Sequence, residues 1–233
     1  MAISSGPDIV EDGLVLYLDA ANERSYPGSG TDLYDISKEG MDSSLLNGTA
    51  YTSGPPAYFT FDKVNDYINV PDNSKTALQL NSSLTISIWF RPHDYTSSRQ
   101  GLIGRQSGLS EYAITLETPG TVSFYFESAN QPSNYYNGAS SRPFGQENNV
   151  WQLLTITRDF SSFVVFYKNA SQTATTNITT VTPPSATTSA TQVGLGNGGY
   201  YDGDVGLVTL YNRALTADEV TQNFNAMRDR YGI

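Results

Sequence analysis

Residues 202–220 read DGDVGLVTLYNRALTADEV, and the period of the apolar positions changes partway along. Val205 to Tyr211 reads as a strand with alternating core contacts. From Thr216 the pattern turns helical. Thr216 fits an N-cap and Glu219 the N3 position, so that the threonine oxygen accepts the N3 amide while the glutamate reaches back, a capping box. Leu215 before the cap is spaced to pack on Val220 as a hydrophobic staple. Val220, Phe224 and Met227 then share one helical face, which Tyr231 extends. Carboxylates stand at both ends of the stretch, but the one at Glu219 is explained by helix-start chemistry rather than catalysis.

Working outward, the two-residue period of Val205–Tyr211 recurs along the chain. It is found in GLVLYLDA (13–20), YFTFDKVNDYINV (58–70), LTISIWF (84–90), EYAITLE (111–117), TVSFYFES (121–128), WQLLTITRD (151–159) and FVVFYKNA (163–170). Turn-forming runs separate these segments, such as SYPGSGTD (25–32), TSGPPA (52–57) and ETPGT (117–121). Many short strands without intervening helices predict an all-β sandwich of two packed antiparallel sheets, one domain over residues 1–233, closed by the short C-terminal helix. Trp89 and Trp151 fall inside strand-like runs and are expected to be buried in the sandwich. A chain of 233 residues buries roughly 70% of its unfolded surface and needs no covalent staples.

Composition removes several classes of chemistry. There are no cysteines, which excludes disulfides, thiolate nucleophiles and zinc–cysteine sites. The net charge is −10, from 13 basic and 23 acidic residues, and no Lys/Arg cluster is present to neutralise a run of phosphates, so nucleic acid is not an expected partner. The opening MAISSGPDIVEDG lacks the basic and apolar regions of a secretion signal, and no run reaches the length of a membrane span. N-x-[ST] triplets at Asn47, Asn81, Asn169 and Asn177 read as chance in a chain rich in Asn, Ser and Thr.

Three motifs outside the strands carry possible chemistry. GLGNGG (194–199) matches a dinucleotide-binding fingerprint in form, but such a motif must open a helix, and here another strand-like run follows. A hairpin with glycines at positive φ is the expectation. The loop tyrosine pairs Tyr135 with Tyr136 and Tyr200 with Tyr201 stand among Asn and Gly. Such rings either stack on sugars or anchor a partner, or they cover hydrophobic surface, and the sequence leaves both readings open. The Thr-rich run from Ser171 reads as an exposed strand, with TPPS (182–185) as its turn.

Taken together, GLVLYLDAAN (13–22), SYPGSGT (25–31), YFTFDKVNDYINVP (58–71), LTISIWFRP (84–92), WQLLTITRD, FYKN (166–169) and residues 203–220 resemble the laminin-G-like, concanavalin A-like lectin/glucanase superfamily. The resemblance implies a jelly roll of two curved antiparallel sheets. Domains that look like this, with a similar opening and a close like NFNAMRDRYGI, occur in virion proteins of marine bacteriophages and in bacterial adhesins. Fold alone does not set function.

The resemblance also frames the site candidates. Hydrolases of this fold carry E-x-D-x-x-E on one strand, and that pattern is absent. Glu111 and Glu117 share a strand face but lie about 20 Å apart along it, too far to act as a pair. A lyase would use a histidine and tyrosine flanked by arginines, whereas His93 follows FRP in a loop and is expected to make a local hydrogen bond. Laminin-G-like domains often hold calcium at a sheet rim. The candidate ligands here are Asp202, Asp204 and Asn197, then Asp62 and Asp66, with turn capping as the competing role of the last two. The reading is non-catalytic, in one of two classes. The chain is a virion component, capsid decoration or tail surface, binding capsid or tail proteins after synthesis in the host cytoplasm; or it is a lectin or adhesin module binding cell-surface glycans. A homo-oligomer is compatible with either.

Overall fold

The computed structural model describes residues 8–71, 76–80, 82–94, 98–107, 109–118, 120–126, 142–145, 147–160, 162–177, 188–197 and 199–233. The chain begins with β1 (Leu14–Asp19), β2 (Asp32–Leu33), β3 (Ser43–Leu46), β4 (Ala50–Thr52), β5 (Tyr58–Asp62) and β6 (Tyr67–Val70). Then come β7 (Leu84–Pro92), β8 (Gln100–Ser107), β9 (Leu109–Glu117), β10 (Thr121–Tyr125), β11 (Arg142–Pro143) and β12 (Gln152–Asp159). The last strands are β13 (Phe163–Lys168), β14 (Ser171–Asn177), β15 (Thr191–Val193), β16 (Leu195–Gly196), β17 (Gly199–Tyr200) and β18 (Asp202–Tyr211). Helix α1 (Ala217–Met227) and a 3-10 turn at Arg228–Tyr231 close the chain.

These strands form two large antiparallel sheets, as a jelly-roll sandwich requires. The first runs β14-β13-β12-β7-β18-β5-β4, with β1 also on β18, and the second runs β11-β10-β9-β8-β15-β6-β3-β2. Strand β18 is shared along its length: its first half pairs with β5 and its second half with β1, while β7 lies on its other side. The period-two pattern explains the core. Phe59, Phe61, Ile86, Ile88, Phe90, Val205, Val208 and Leu210 point from the first sheet towards Ile68, Val70, Ile103, Ile114, Leu116 and Phe124 of the second, in one buried cluster. The Thr-rich strand β14 is exposed along most of its length at the end of the first sheet, and TPPS lies outside the described residues.

The opposite face of the first sheet is covered by the chain ends. Leu14, Tyr167 and Tyr211 pack under Val10, Leu215 and Val220, so the predicted staple is in place. Trp89, Trp151, Leu153 and Leu207 pack under Phe224 and Tyr231. The two tryptophans are therefore buried, but beneath the C-terminal helix rather than between the sheets. Strand parity is the reason: Trp89 alternates with the inward Ile88 and Phe90. The capping box is complete, Glu219 N donating to Thr216 Oγ1 at 3.3 Å and Thr216 N to Glu219 Oε2 at 2.9 Å.

In GLGNGG and the tyrosine after it, Leu195–Gly196 and Gly199–Tyr200 pair as a hairpin, β16 with β17, and strand β18 rather than a helix follows. The hairpin lies against β8, where a Cβ on Gly101 would stand 2.2 Å from the backbone nitrogen of Gly196. Glycine faces glycine so that backbone can pack on backbone.

Candidate binding site at the sheet rim

At one end of the first sheet, β5, β18 and β7 bring Asp202, Asp204 and Asp62 into one rim. Asp202 stands opposite Asp62, and Asp204 opposite Thr60 on one side and Arg91 on the other. Tyr58, Thr60, Arg91 and Asp204 consequently share the outer face. Asp204 is 1% exposed, and both its oxygens are engaged. Oδ1 accepts the Thr60 hydroxyl at 2.7 Å; Oδ2 accepts Arg91 Nη2 at 2.7 Å and Nε at 2.8 Å. Burial works to lower the Arg91 pKa, but the hydrogen bond and charge of Asp204 outweigh it and hold the guanidinium above its usual value.

His93, just past β7, joins the two aspartates. Its Nε2 lies 3.0 Å from Asp204 Oδ2 and its Nδ1 3.3 Å from Asp202 Oδ1, and the ring is 37% exposed. The expected local hydrogen bond is thus a bridge between side chains distant in sequence. The Arg91 guanidinium also sits over two rings, 4.8 Å from the centroid of Tyr58 and 5.1 Å from that of Trp151. Such stacking is favourable for a planar cation and fixes its direction. Asp202 N donates to Gln100 Oε1 at 2.8 Å, which ties the start of β18 to the second sheet.

The other sequence candidates fall in different places. Tyr201 is wholly buried, its ring 6.0 Å from that of Phe61, and burial together with the nearby aspartates raises its phenol well above the usual range. It is a core residue, which corrects its reading as a contact ring: parity on entering β18 turns it inward. Tyr200 is half-buried on β17, and Asn197 lies in the turn of the same hairpin. Tyr135 and Tyr136 lie outside the described residues.

Asp62 Oδ1 accepts the amides of Val64 at 2.8 Å and Asn65 at 3.3 Å, and these bonds lower its pKa. This is the turn-capping role. Asp66 is buried, and desolvation and then the charge of Asp62 raise its pKa. Asp204 is bonded to Thr60 through one oxygen and to Arg91 through the other, and among the described residues no three His, Asp or Glu side chains form a group that could hold a metal ion.

The carboxylates weighed for hydrolysis are also engaged. Glu111 is fully buried with Arg105 at 3.1 Å, and Glu117 accepts from Thr115 and Tyr125 and forms an ion pair with Arg99 at 2.9 Å. The rim thus sets the Arg91 guanidinium over two aromatic rings beside a partly exposed His–Asp pair. Sequence reading missed Tyr58, Arg91 and Trp151 as its components. The usable signal was that Arg91 shares the parity of Trp89 and Tyr58 that of Thr60.

A family model for the concanavalin A-like lectin/glucanases superfamily matches residues 61–221. No curated protein sequence matches. Among solved structures, the binding domain of botulinum neurotoxin DC in complex with SialylT superposes with a TM-score of 0.71 at 15% identity, covering 93% of this chain and 52% of that one. A botulinum neurotoxin type C structure, titled for cell entry dependent on two ganglioside molecules, gives 0.74 at 14% identity over 94% and 52%. The Trypanosoma rangeli sialidase in complex with the inhibitor DANA gives 0.68 at 16% identity, covering 97% of this chain but 34% of the enzyme. The chain thus spans about half or less of each, and at these identities the likeness is one of fold.

Proposed function

This chain belongs to the concanavalin A-like lectin/glucanase superfamily, and from that premise we propose that it is a non-catalytic glycan-binding module. The observation that carries the reading is the rim itself. His93 and Asp202 offer partly exposed hydrogen-bonding groups beside Arg91, whose guanidinium lies over the rings of Tyr58 and Trp151. Sugar hydroxyls are recognised by such fixed polar groups next to an aromatic edge. The SialylT and gangliosides bound by two of the similar proteins are consistent with it. The absence of an uncommitted carboxylate pair among Glu111, Glu117 and Asp204 favours binding over hydrolysis.

A glycan-array screen of the folded chain, with calcium and again with chelator, tests this. Saturable binding that is equal in both conditions and weakened by His93→Ala is the expected outcome. A folded chain that binds no glycan sinks the reading.

Capsid decoration or a tail-surface position is our proposal for where such a module works, supported by the sequence blocks at the two ends of the chain. Co-sedimentation with assembled capsids or tails tests it. A chain that remains in the supernatant with both counts against it.

A further inference from the structure

A separate cleft of about 440 Å³, sharing no residue with the rim, opens beside β1. Its volume falls in the range of small-molecule sites, roughly 300–1,000 Å³. Tyr17 and Ile36 supply an aromatic and an aliphatic wall, and Asn22, Arg24, Lys38 and Glu11 supply the polar lining.

Two features make this more than a surface dent. The first is order in the loops that carry the cations. Asp35, which is buried, accepts the amide of Tyr17 at 2.8 Å, the amide and hydroxyl of Ser37 at 2.9 and 2.7 Å, and the amide of Met41 at 2.8 Å. That network fixes the loop bearing Lys38. Asn22 Oδ1 accepts the Arg24 amide at 3.0 Å, and the Asn22 carbonyl accepts the amides of Ser25 and Tyr26, which fixes the loop bearing Arg24.

The second feature is unspent charge. Arg91, Arg99, Arg105, Lys168, Arg213 and Arg230 all lie within about 3.3 Å of a carboxylate. Among the described residues, no carboxylate pairs with Arg24 or Lys38. In a chain of net charge −10, two exposed cations left unpaired at one cleft create a local attraction for an anion.

We propose that this cleft binds an acidic sugar, a pyranose bearing a carboxylate or a sulfate. Arg24 and Lys38 engage the anionic group, and Tyr17 with Ile36 lies against the ring. The inference rests on the glycan-binding reading and adds a ligand class and a second contact area to it. Glu11 opposes the ligand's charge and tunes its affinity downward.

The test is calorimetric titration of the full chain with sialyllactose, sulfated lactose and lactose. The Arg24→Gln, Lys38→Gln, Glu11→Gln and His93→Ala variants are titrated in parallel. The inference expects both acidic probes to bind more tightly than lactose, each loss of a cation to weaken them about tenfold, and Glu11→Gln to strengthen them. Rising salt should reduce the difference between acidic and neutral probes. The relative affinities of the two acidic probes show whether carboxylate or sulfate is preferred. Acidic probes that bind but ignore Arg24→Gln and Lys38→Gln, while responding to His93→Ala, overturn the cleft and leave the rim reading standing. Equal binding of lactose and the acidic probes overturns it as well, and binding of none of the three overturns both.

Discussion

Arg91 places its guanidinium 2.7 Å from the carboxylate of Asp204, which is 1% exposed, while Arg91 itself keeps 27% of its side chain in solvent. The buried charge thus depends on a partner that reaches out to the rim. Replacing Arg91 with Met leaves Asp204 with only Thr60 and His93, and should cost about 3 kcal/mol in urea unfolding. Removing both charges, in Arg91→Met with Asp204→Leu, should recover part of that loss. Equal losses in the single and double variants would show that the ion pair is not what holds the rim.

The glycine contact between β8 and the β16–β17 hairpin predicts a graded response. Alanine at 101 would thrust its Cβ to 2.2 Å from the Gly196 nitrogen, against backbone that cannot rotate away. At 104 the closest approach is 3.1 Å, to the Gly196 Cα. Gly101→Ala should therefore lose about 2 kcal/mol and Gly104→Ala clearly less, by thermal or urea unfolding. The reverse order would mean that the hairpin does not rest on β8.

How far the sequence discloses this molecule follows from what is local. Period-two runs and the Thr216–Glu219 box depend on neighbours along the chain, and the strands, staple and helix start can be read from them. Strand β8, QGLIGRQS, escapes because its glycines serve contacts with a hairpin some ninety residues later and so break the apolar alternation. The rim is legible only in part for the same reason. Asp202 and Asp204 announce themselves as carboxylates at a strand start, but whether they meet calcium or Arg91 and His93 is decided by register between strands. Tyr201 shows how sensitive that is. One residue of phase separates a loop ring from a ring buried on Phe61.

Tyr231 stacks on Trp89 with centroids 4.2 Å apart and planes 11° from parallel, and Phe224 covers the same indole at 5.8 Å. A Cβ at Gly206 would come within 2.4 Å of the Tyr231 hydroxyl, so β18 has been kept bare beneath that ring. Tyr231→Ala should destabilise the chain by about 3 kcal/mol and shift tryptophan emission to longer wavelength as water reaches Trp89 and Trp151. Unchanged emission would show that the chain end does not seal this face.

Glu219 joins the helix cap to Arg213, whose Nη1 and Nη2 donate to its two oxygens at 2.8 and 2.6 Å. The Arg213 hydrogen bond, aided by the Thr216 amide, lowers the Glu219 pKa from its ordinary 4.5 to about 2. A carboxyl whose pKa falls on folding stabilises the native state fully above its unfolded value, and that contribution disappears as pH drops from about 4.5 through about 2. The pair is partly solvated, with both side chains 27% exposed, so screening limits the contribution to about 1 kcal/mol. Thr216→Ala, which removes the hydroxyl half of the cap, should cost a similar ~1 kcal/mol and leave glycan binding untouched. Glu219→Gln should be less stable than the parent at pH 6, and the gap should close as pH falls to 2, because only the parent has this interaction to lose. Melting curves of the two proteins across that range give the comparison. A gap that stays constant down to pH 2 would mean that the Arg213 pair adds nothing to the helix start beyond the neutral capping hydrogen bonds.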